Sequence, residues 1–132
     1  MGLANLIRCI DIDGYWTRTW RYKKVKFKIQ NVGGKIAKKD ERYVVKDNTT
    51  LKNLVLSSTD LQPYKSTSGH KHEGQEEVYY FVSGSGKMEL DDKTLSVKEN
   101  DVVLIEDGVF HRVHAGPLGC YFVCVFDGRR KH

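Results

Sequence analysis

The sequence predicts an all-β fold, a jelly roll of two facing sheets, and three observations lead to this class. Long helical patterns are missing, and the readable segments are short and alternate apolar with polar residues. Gly, Asn, Asp or Pro separates one segment from the next. The resulting turns recur about every 8–12 residues, which is typical of sandwiches and barrels. The 132 residues fit a single domain, 1–132, able to bury roughly two-thirds of its unfolded surface.

The first strands are predicted from alternation. Lys24, Lys26 and Lys28 alternate with apolar residues over 23–30, which predicts a strand with one wet, basic face. Residues 31–34 form a turn by composition. Strands are expected next at 42–46 and 52–61. Pro63 ends the second of these, because proline has no N–H to donate to a neighbouring strand.

The second half of the chain alternates strands and turns more regularly. Residues 78–82 are rich in β-branched and aromatic side chains, and a turn at Ser83 to Gly86 follows them. A tight hairpin at Asp91 to Lys93 connects the next two strands. The remaining expectations are strands at 87–90, 94–97, 102–105, 111–114 and 120–126, turns at 98–101 and 106–108, and a connection at 115–119.

Four of the five histidines form two clusters, His70 with His72 and His111 with His114. Residues i and i+2 of a strand point to the same side, about 6–7 Å apart along the backbone. Two imidazoles with this spacing can reach one metal ion at ~2.1 Å. If His111 faces the interior, His114 faces outward, and we expect a surface role for it.

A carboxylate to complete such a metal site must come from further along the chain. Glu73, Glu76 and Glu77 are all available. Glu76 and Glu77 point to opposite faces of the strand that follows, and both faces are apolar. Periodicity alone therefore leaves the choice between them open.

The stretch from Gly69 to Gly84 resembles the first motif of the cupin superfamily. That motif has two histidines one residue apart, a glutamate four or five residues on, and a glycine seven residues after the glutamate. Glu77 has this separation from the glycine and Glu76 does not, so the resemblance implies Glu77 as the ligand. Gly108 to His111 is similar to the second motif, a glycine three residues before the last histidine ligand. Three turn positions depart from that second motif: Asn100, Glu106 and Ala115.

The resemblance implies a single cupin barrel, a double-stranded β-helix of the jelly-roll type. The barrel would cover about residues 50–126, with extra N-terminal strands in 1–49 and a basic tail at 128–132. The implied metal ligands are three histidines and one glutamate: His70, His72, Glu77 and His111. This set leaves one or two positions open on Fe(II), Mn(II), Ni(II) or a distorted zinc, and it does not select among these divalent ions.

Tyr79 lies two residues after Glu77, so it should point into the same interior. There its phenol can bind a substrate oxygen or move a proton, although an aromatic core residue is the alternative. Histidines, then Glu-Val-Tyr, then a Gly-rich turn are similar to archaeal-type cupin phosphoglucose isomerases and to phosphomannose isomerase-like cupins. Our first interpretation is a metal-dependent isomerase or epimerase of a sugar or sugar phosphate, with Tyr79 as a catalytic residue. An iron-dependent dioxygenase, a lyase and a non-catalytic binding module are alternatives that use the same ligands.

Charge is unevenly distributed along the chain. Residues 1–65 carry 14 Lys+Arg against 6 Asp+Glu, and residues 66–132 carry 8 against 11. A basic run can attract nucleic acid, with Trp16, Trp20 and Tyr22 as stacking groups, but such a run is more often a solvated face. We therefore expect a small-molecule substrate rather than a nucleic acid.

Two further expectations concern assembly and location. Residues 1–30 contain a strand that the barrel motif does not require, and a bare edge strand invites aggregation. We expect this strand to pair in a two-fold homodimer. No apolar run approaches the ~20 residues that cross a bilayer, so we expect a cytoplasmic protein. Three cysteines without a framework spacing argue against disulfides, and Cys120 and Cys124 are expected to be buried strand thiols.

Overall fold

Antiparallel strands make up the described chain, which in this computed structural model comprises residues 9–10, 16–17 and 24–129. The strands are β1 (Cys9–Ile10), β2 (Trp16–Thr17), β3 (Lys35–Lys39), β4 (Tyr43–Asn48), β5 (Leu54–Leu61), β6 (Glu77–Leu90), β7 (Lys93–Lys98), β8 (Val102–Ile105) and β9 (His111–Asp127). The all-β prediction is confirmed. Within the ranges described, no helix is long and apolar enough to span a bilayer.

The larger sheet has the order β3-β4-β5-β9-β6-β7, with β8 added to β6. β5 pairs with the second half of β9, from Leu54 opposite Asp127 to Leu61 opposite Cys120. Residues 77–80 of β6 pair with β8, and residues 85–90 pair with β7. Each long strand therefore has different neighbours at its two ends. β6 pairs with β8 at its start and with β7 at its end, and only the second half of β9 pairs with β5. β1 and β2 form a separate two-stranded sheet, in the region where extra N-terminal strands were expected.

The predicted turn at 83–86 and the predicted connection at 115–119 are both wrong, because β6 and β9 run straight through them. The pairing of the two strands shifts register here, between Phe81 and Ser83 and between Gly84 and Gly86. Gly84 has φ +80°, and a Cβ atom built on it would lie 2.1 Å from the carbonyl oxygen of Gly119. Glycine is needed for this close approach of two strands, which the sequence pattern alone does not distinguish from a turn.

The strand predicted over 23–30 is also wrong for its described residues, 24–30, where an isolated bridge joins Lys28 to Asn31. The alternation marks no buried face, since Val25 is 70% exposed and Ile29 38%. The strand nearby is β3, which is exposed at every position and pairs with β4 through the backbone. An edge strand held by backbone pairing needs no apolar alternation, so the pattern missed it.

Side chains from both halves of β6 and β9 meet in one core. Phe81 packs against Phe122 with the ring centroids 5.3 Å apart, and both rings are buried. Met88 and Val113, from the other halves of the same two strands, belong to the same cluster. Because the two halves of each long strand cover the same core, the sheet curls around that core. The predicted jelly roll is confirmed.

Candidate metal centre

A short segment beside the start of β9 positions two of the histidines. His70 donates its backbone N–H to the carbonyl of His111 at 3.1 Å, and His111 donates back to the carbonyl of His70 at 2.9 Å. Gly108 donates its N–H to the carbonyl of His72, also at 2.9 Å. Gly108 has φ +80°, a conformation that glycine adopts without strain. The backbone therefore fixes residues 70–72 against β9 and against the turn that precedes it.

Glu77 and His111 are the first residues of β6 and β9. Glu77 is 6% exposed and His111 is 3% exposed. Glu77 is paired on both sides, with Ile105 of β8 and Phe126 of β9, so its direction is set by the sheet. Glu76 is exposed. The alternation that the sequence left open thus directs Glu77, and not Glu76, towards the histidines.

One ligand atom from each of four residues lies within 4.8 Å of the others, and these residues are His70, His72, Glu77 and His111. Donors that surround one ion at about 2.1 Å are at most about 4.2 Å apart. The rings of His70 and His111 are nearly perpendicular, with centroids 4.5 Å apart. The structure therefore brings together all four predicted ligand residues at close to the spacing of a mononuclear site.

The contact between His111 and Glu77 indicates what such a site requires. His111 Nδ1 lies 3.0 Å from the carbonyl of Val109, so in a neutral imidazole Nδ1 carries the proton and Nε2 is an acceptor. Nε2 lies 2.8 Å from Glu77 Oε1, yet neither buried atom has a hydrogen-bond partner of acceptable geometry. Two buried acceptors that face each other are unfavourable without a cation between them. Imidazole and carboxylate are both donors for the divalent transition metals, so these residues fit the implied ion.

The ionisation of Glu77 agrees with a ligand role. Burial raises the pKa of its carboxyl, but the imidazoles of His111, His70 and His72, His111 foremost, lower the pKa by more when they are protonated, so the pKa falls overall. Glu77 is therefore a carboxylate at neutral pH, the form that binds metal.

A cavity of about 180 Å³ adjoins the four residues. The rings of Tyr79, Phe122 and Phe126 line part of it. Polar side chains from β3, β4 and β5 also line it: Lys38, Asp47, Ser57 and Thr59. Mixed apolar and polar walls of this size suit a small polar molecule.

Tyr79, the predicted catalytic residue, lines this cavity and is buried. Its ring stacks on Phe122 with centroids 5.2 Å apart, and it meets the ring of His111 edge-on at 5.7 Å. Burial, the charge of Glu77 and a hydrogen bond with the opposite Cys124 raise the pKa of Tyr79 well above 10. The neutral phenol of Tyr79 can donate a hydrogen bond to a molecule in the cavity.

Cys120 and Cys124 are buried free thiols on β9, as expected. Burial raises the pKa of Cys120 to about 11, and burial is also the main cause that raises the pKa of Cys124 well above 9.

Iodoacetamide at pH 8 should therefore leave both thiols unmodified in the folded protein, because the thiolate is the nucleophile. Peptide mass spectrometry should find both alkylated after unfolding in guanidinium. Labelling of Cys124 in the native protein at the rate of an exposed thiol would contradict its burial beside the cavity.

Several residues that shape the site were missed by sequence reasoning. Asp107 accepts a hydrogen bond from the N–H of Gly74 at 2.7 Å, and Gln75 donates to the carbonyl of Asp127 at 2.6 Å. Both hydrogen bonds hold in place the residues that follow His72, but neither Asp107 nor Gln75 belongs to a recognised sequence motif. Ser57 and Thr59 of the cavity wall could have been identified from the sequence, because they are polar residues at inward positions of a strand.

His114, predicted to face outward, is a partly exposed residue of β9. Its Nδ1 is 2.6 Å from the hydroxyl of Ser66, and its Nε2 contacts the carboxylate of Glu89. Through Ser66, His114 thus connects the loop before His70 to strands β9 and β6. Its structural role could not be read from the sequence, because Ser66 and Glu89 are far from it along the chain.

Comparison with known families agrees with the geometry. The family model described as Cupin domain matches residues 58–126. The chain is 30% identical over 81 residues to a protein of Thermotoga maritima named Oxalate-binding protein, across 61% of this chain and 67% of that protein. It is 28% identical over 82 residues to an uncharacterised protein of Methanocaldococcus jannaschii, across 54% and 66%. The matched segment thus spans about two-thirds of the length of these relatives.

Solved structures show the same fold. A double-stranded β-helix protein of unknown function from Klebsiella pneumoniae superposes with a TM-score of 0.71 at 15% identity, over 83% of this chain and 95% of that one. The polyketide cyclase RemF from Streptomyces resistomycificus gives 0.69 at 24%, over 83% of each chain. A predicted oxalate decarboxylase from Thermotoga maritima gives 0.60 at 25%, over 64% and 79%. The family match over more than half of its length, together with this fold, establishes that the chain belongs to the cupin superfamily.

Proposed function

We propose that this cupin is a metal-dependent enzyme that acts on a small, oxygen-rich metabolite. One observation carries the proposal: three histidines and a carboxylate converge beside a cavity that has polar groups on its other walls. A bound divalent ion would supply Lewis-acid chemistry, polarising a carbonyl or holding two adjacent substrate oxygens. A purely structural metal site would be closed on all sides and would need no adjoining cavity.

The chain's own residues would divide the work. His70, His72, Glu77 and His111 would hold the ion, and the cavity walls would limit the size of the substrate. Tyr79, a neutral phenol, can donate a hydrogen bond to a substrate oxygen if it exchanges its bond with Cys124. Lys38 can attract a negatively charged group to the same cavity.

Isomerisation or epimerisation of a sugar or sugar phosphate is the first reaction to test. The motif of histidines followed by Glu77 and Tyr79, similar to cupin sugar-phosphate isomerases, supports it. Lys38 on the cavity wall suits a phosphate, although it is the one cation among the described residues that line this cavity.

The second candidate is the binding or decarboxylation of a small carboxylic acid. It is favoured by the 30% identity to the protein of Thermotoga maritima named Oxalate-binding protein, and by the likeness to a predicted oxalate decarboxylase. Oxalate has two adjacent oxygens for the ion and fits easily in about 180 Å³. Simple binding, without turnover, needs the same ligands.

One set of measurements separates these candidates. The purified protein is analysed for bound metals, and each metal-loaded form is incubated in deuterated water with aldose phosphates, oxalate and 2-keto acids. Deuterium incorporation at a carbon of the sugar phosphate, without loss of carbon dioxide, indicates isomerisation by proton transfer. Release of carbon dioxide indicates decarboxylation, and oxygen uptake indicates a dioxygenase. A thermal shift with one compound and no reaction indicates a binding module. Absence of any stoichiometric metal contradicts the proposal.

We also propose a two-fold homodimer, which would cover the edge of the larger sheet at β3 that is bare within the described residues. Most of residues 1–23, including Trp20, lie outside the described residues. Light scattering at tens of micromolar should return the mass of two chains, because a bare edge strand next to the barrel would otherwise recruit partners without limit. A monomer mass at that concentration would rule the dimer out.

A further inference from the structure

The wall of the cavity formed by β5 carries polar groups at positions that a barrel normally fills with apolar side chains. The inward positions of this strand are Val55, Ser57, Thr59 and Leu61, all buried. Ser57 and Thr59 are each 5% exposed and line the cavity. A purely apolar core would not use hydroxyls at these positions, because a buried hydroxyl needs a hydrogen-bond partner, so Ser57 and Thr59 give this wall a polar surface that suits a polar ligand.

Asp47 completes this wall from β4. Its carboxylate accepts a hydrogen bond from the Ser57 hydroxyl at 2.8 Å and lines the cavity together with Ser57 and Thr59. Asp47 lies directly across the β4–β5 pair from Ser57, so the two side chains share one face and hold each other in place. A carboxylate offers about four lone-pair sites, of which the Ser57 hydroxyl uses one.

The carboxylate of Asp47 is also within electrostatic reach of the groups beside the metal ligands. The pKa of Cys124 is raised chiefly by burial, with the charges of Glu77 and Asp47 as further causes. Cys124 lies directly across the β6–β9 pair from Tyr79, whose ring contacts that of His111. Asp47, Tyr79 and Cys124 line the same cavity as the four metal-ligand residues, so a molecule that fills this cavity contacts both groups.

We propose that Asp47, held by Ser57, selects substrates that present a hydrogen-bond donor opposite the metal. A small hydroxy acid or hydroxy-aldehyde would place its oxygen pair at the metal ligands and donate its distal hydroxyl to Asp47. A molecule with a carboxylate at that distal position would be repelled. This inference rests on the proposed function, since it requires an ion at His70, His72, Glu77 and His111.

The test uses three probes that share one metal-binding head, a carboxylate with a 2-hydroxyl group. Lactate ends in a methyl group, glycerate in a hydroxymethyl group and tartronate in a second carboxylate. Isothermal titration of the metal-loaded wild-type protein should give the order glycerate, then lactate, then tartronate, from tightest to weakest. Asp47→Asn should weaken glycerate roughly 10-fold, because a charge-assisted hydrogen bond is lost, and should tighten tartronate.

Two variants serve as controls. Asp60→Asn removes the same charge from an exposed position of β5 and should leave all three affinities unchanged. Ser57→Ala removes the group that orients Asp47 and should weaken glycerate only a few-fold. Metal content and melting temperature are measured for every variant, so that loss of the ion or of the fold is not mistaken for loss of the contact.

The outcomes separate the two proposals. If the wild-type protein binds no metal, the proposed function fails and this inference fails with it. If metal binds but the three probes bind equally, or none binds, the metal site stands and the selection by Asp47 is wrong. An unchanged order of affinities in Asp47→Asn would overturn the inference in the same way.

Discussion

Glu77→Ala should abolish stoichiometric metal binding while the barrel still folds. The change removes the one anionic donor of the cluster, and the Glu77 carboxylate is the group that faces the buried His111 nitrogen. Loss of a group that merely orients a ligand costs roughly 10–100-fold in metal affinity, and loss of a ligand should cost more. Elemental analysis after dialysis, with circular dichroism for the fold, measures the effect. His70→Ala, His72→Ala and His111→Ala should act in the same direction.

Glu76→Ala is the matched control, because it removes the same group one residue earlier from an exposed position. It should retain metal at the wild-type stoichiometry. If Glu76→Ala loses the metal and Glu77→Ala keeps it, the register of β6 is wrong by one residue and its interior face is reversed.

Tyr79→Phe should lower turnover by roughly 10²–10⁴-fold, the range for a lost acid–base group, and leave metal content unchanged. The ring keeps its stacking on Phe122 and its contact with His111. Only one hydroxyl and its bond to Cys124 are lost, so the free energy of unfolding should fall by about 1 kcal/mol. The measurement is the steady-state rate with the compound that the wild-type enzyme converts, next to a urea denaturation curve.

Tyr80→Phe is a close control for this change. The Tyr80 hydroxyl bonds to Asn100 Oδ1 at 3.0 Å at the exposed side of the same strand, so its removal should not affect the rate. Equal rates in Tyr79→Phe and wild-type protein would assign Tyr79 to packing and leave the metal as the sole chemical group at the site.

The sequence was informative where chemistry and periodicity coincided. The two histidines at i and i+2 indicated a metal site, and the cupin motifs, with their glycines at fixed distances, implied the four residues that the structure brings together. These are local signals, and the family resemblance resolved the one choice, Glu77 or Glu76, that periodicity left open.

The rest of the site could not be derived because it depends on contacts across the fold. Asp47 reaches the cavity only because β4 pairs with β5, and no spacing rule connects Asp47 to His70 or His111. Dependence on distant contacts also explains why a turn was wrongly predicted at Gly84 and Gly86. At these two residues the backbones of two strands approach closely. In both cases the determining neighbour is a different strand.

β6 and β9 pair with strands from distant parts of the chain, and this affects the rate of folding. Leu54 pairs with Asp127, and Glu77 pairs with Phe126, so almost the whole chain must be synthesised before the central strand finds its partners. Proteins dominated by such distant contacts fold slowly, in milliseconds to seconds, because loop closure precedes the contacts that offset its entropy. His111 reaches Glu77 only when β9 is in place. In a stopped-flow refolding experiment, the binding of metal would therefore mark the completion of the barrel.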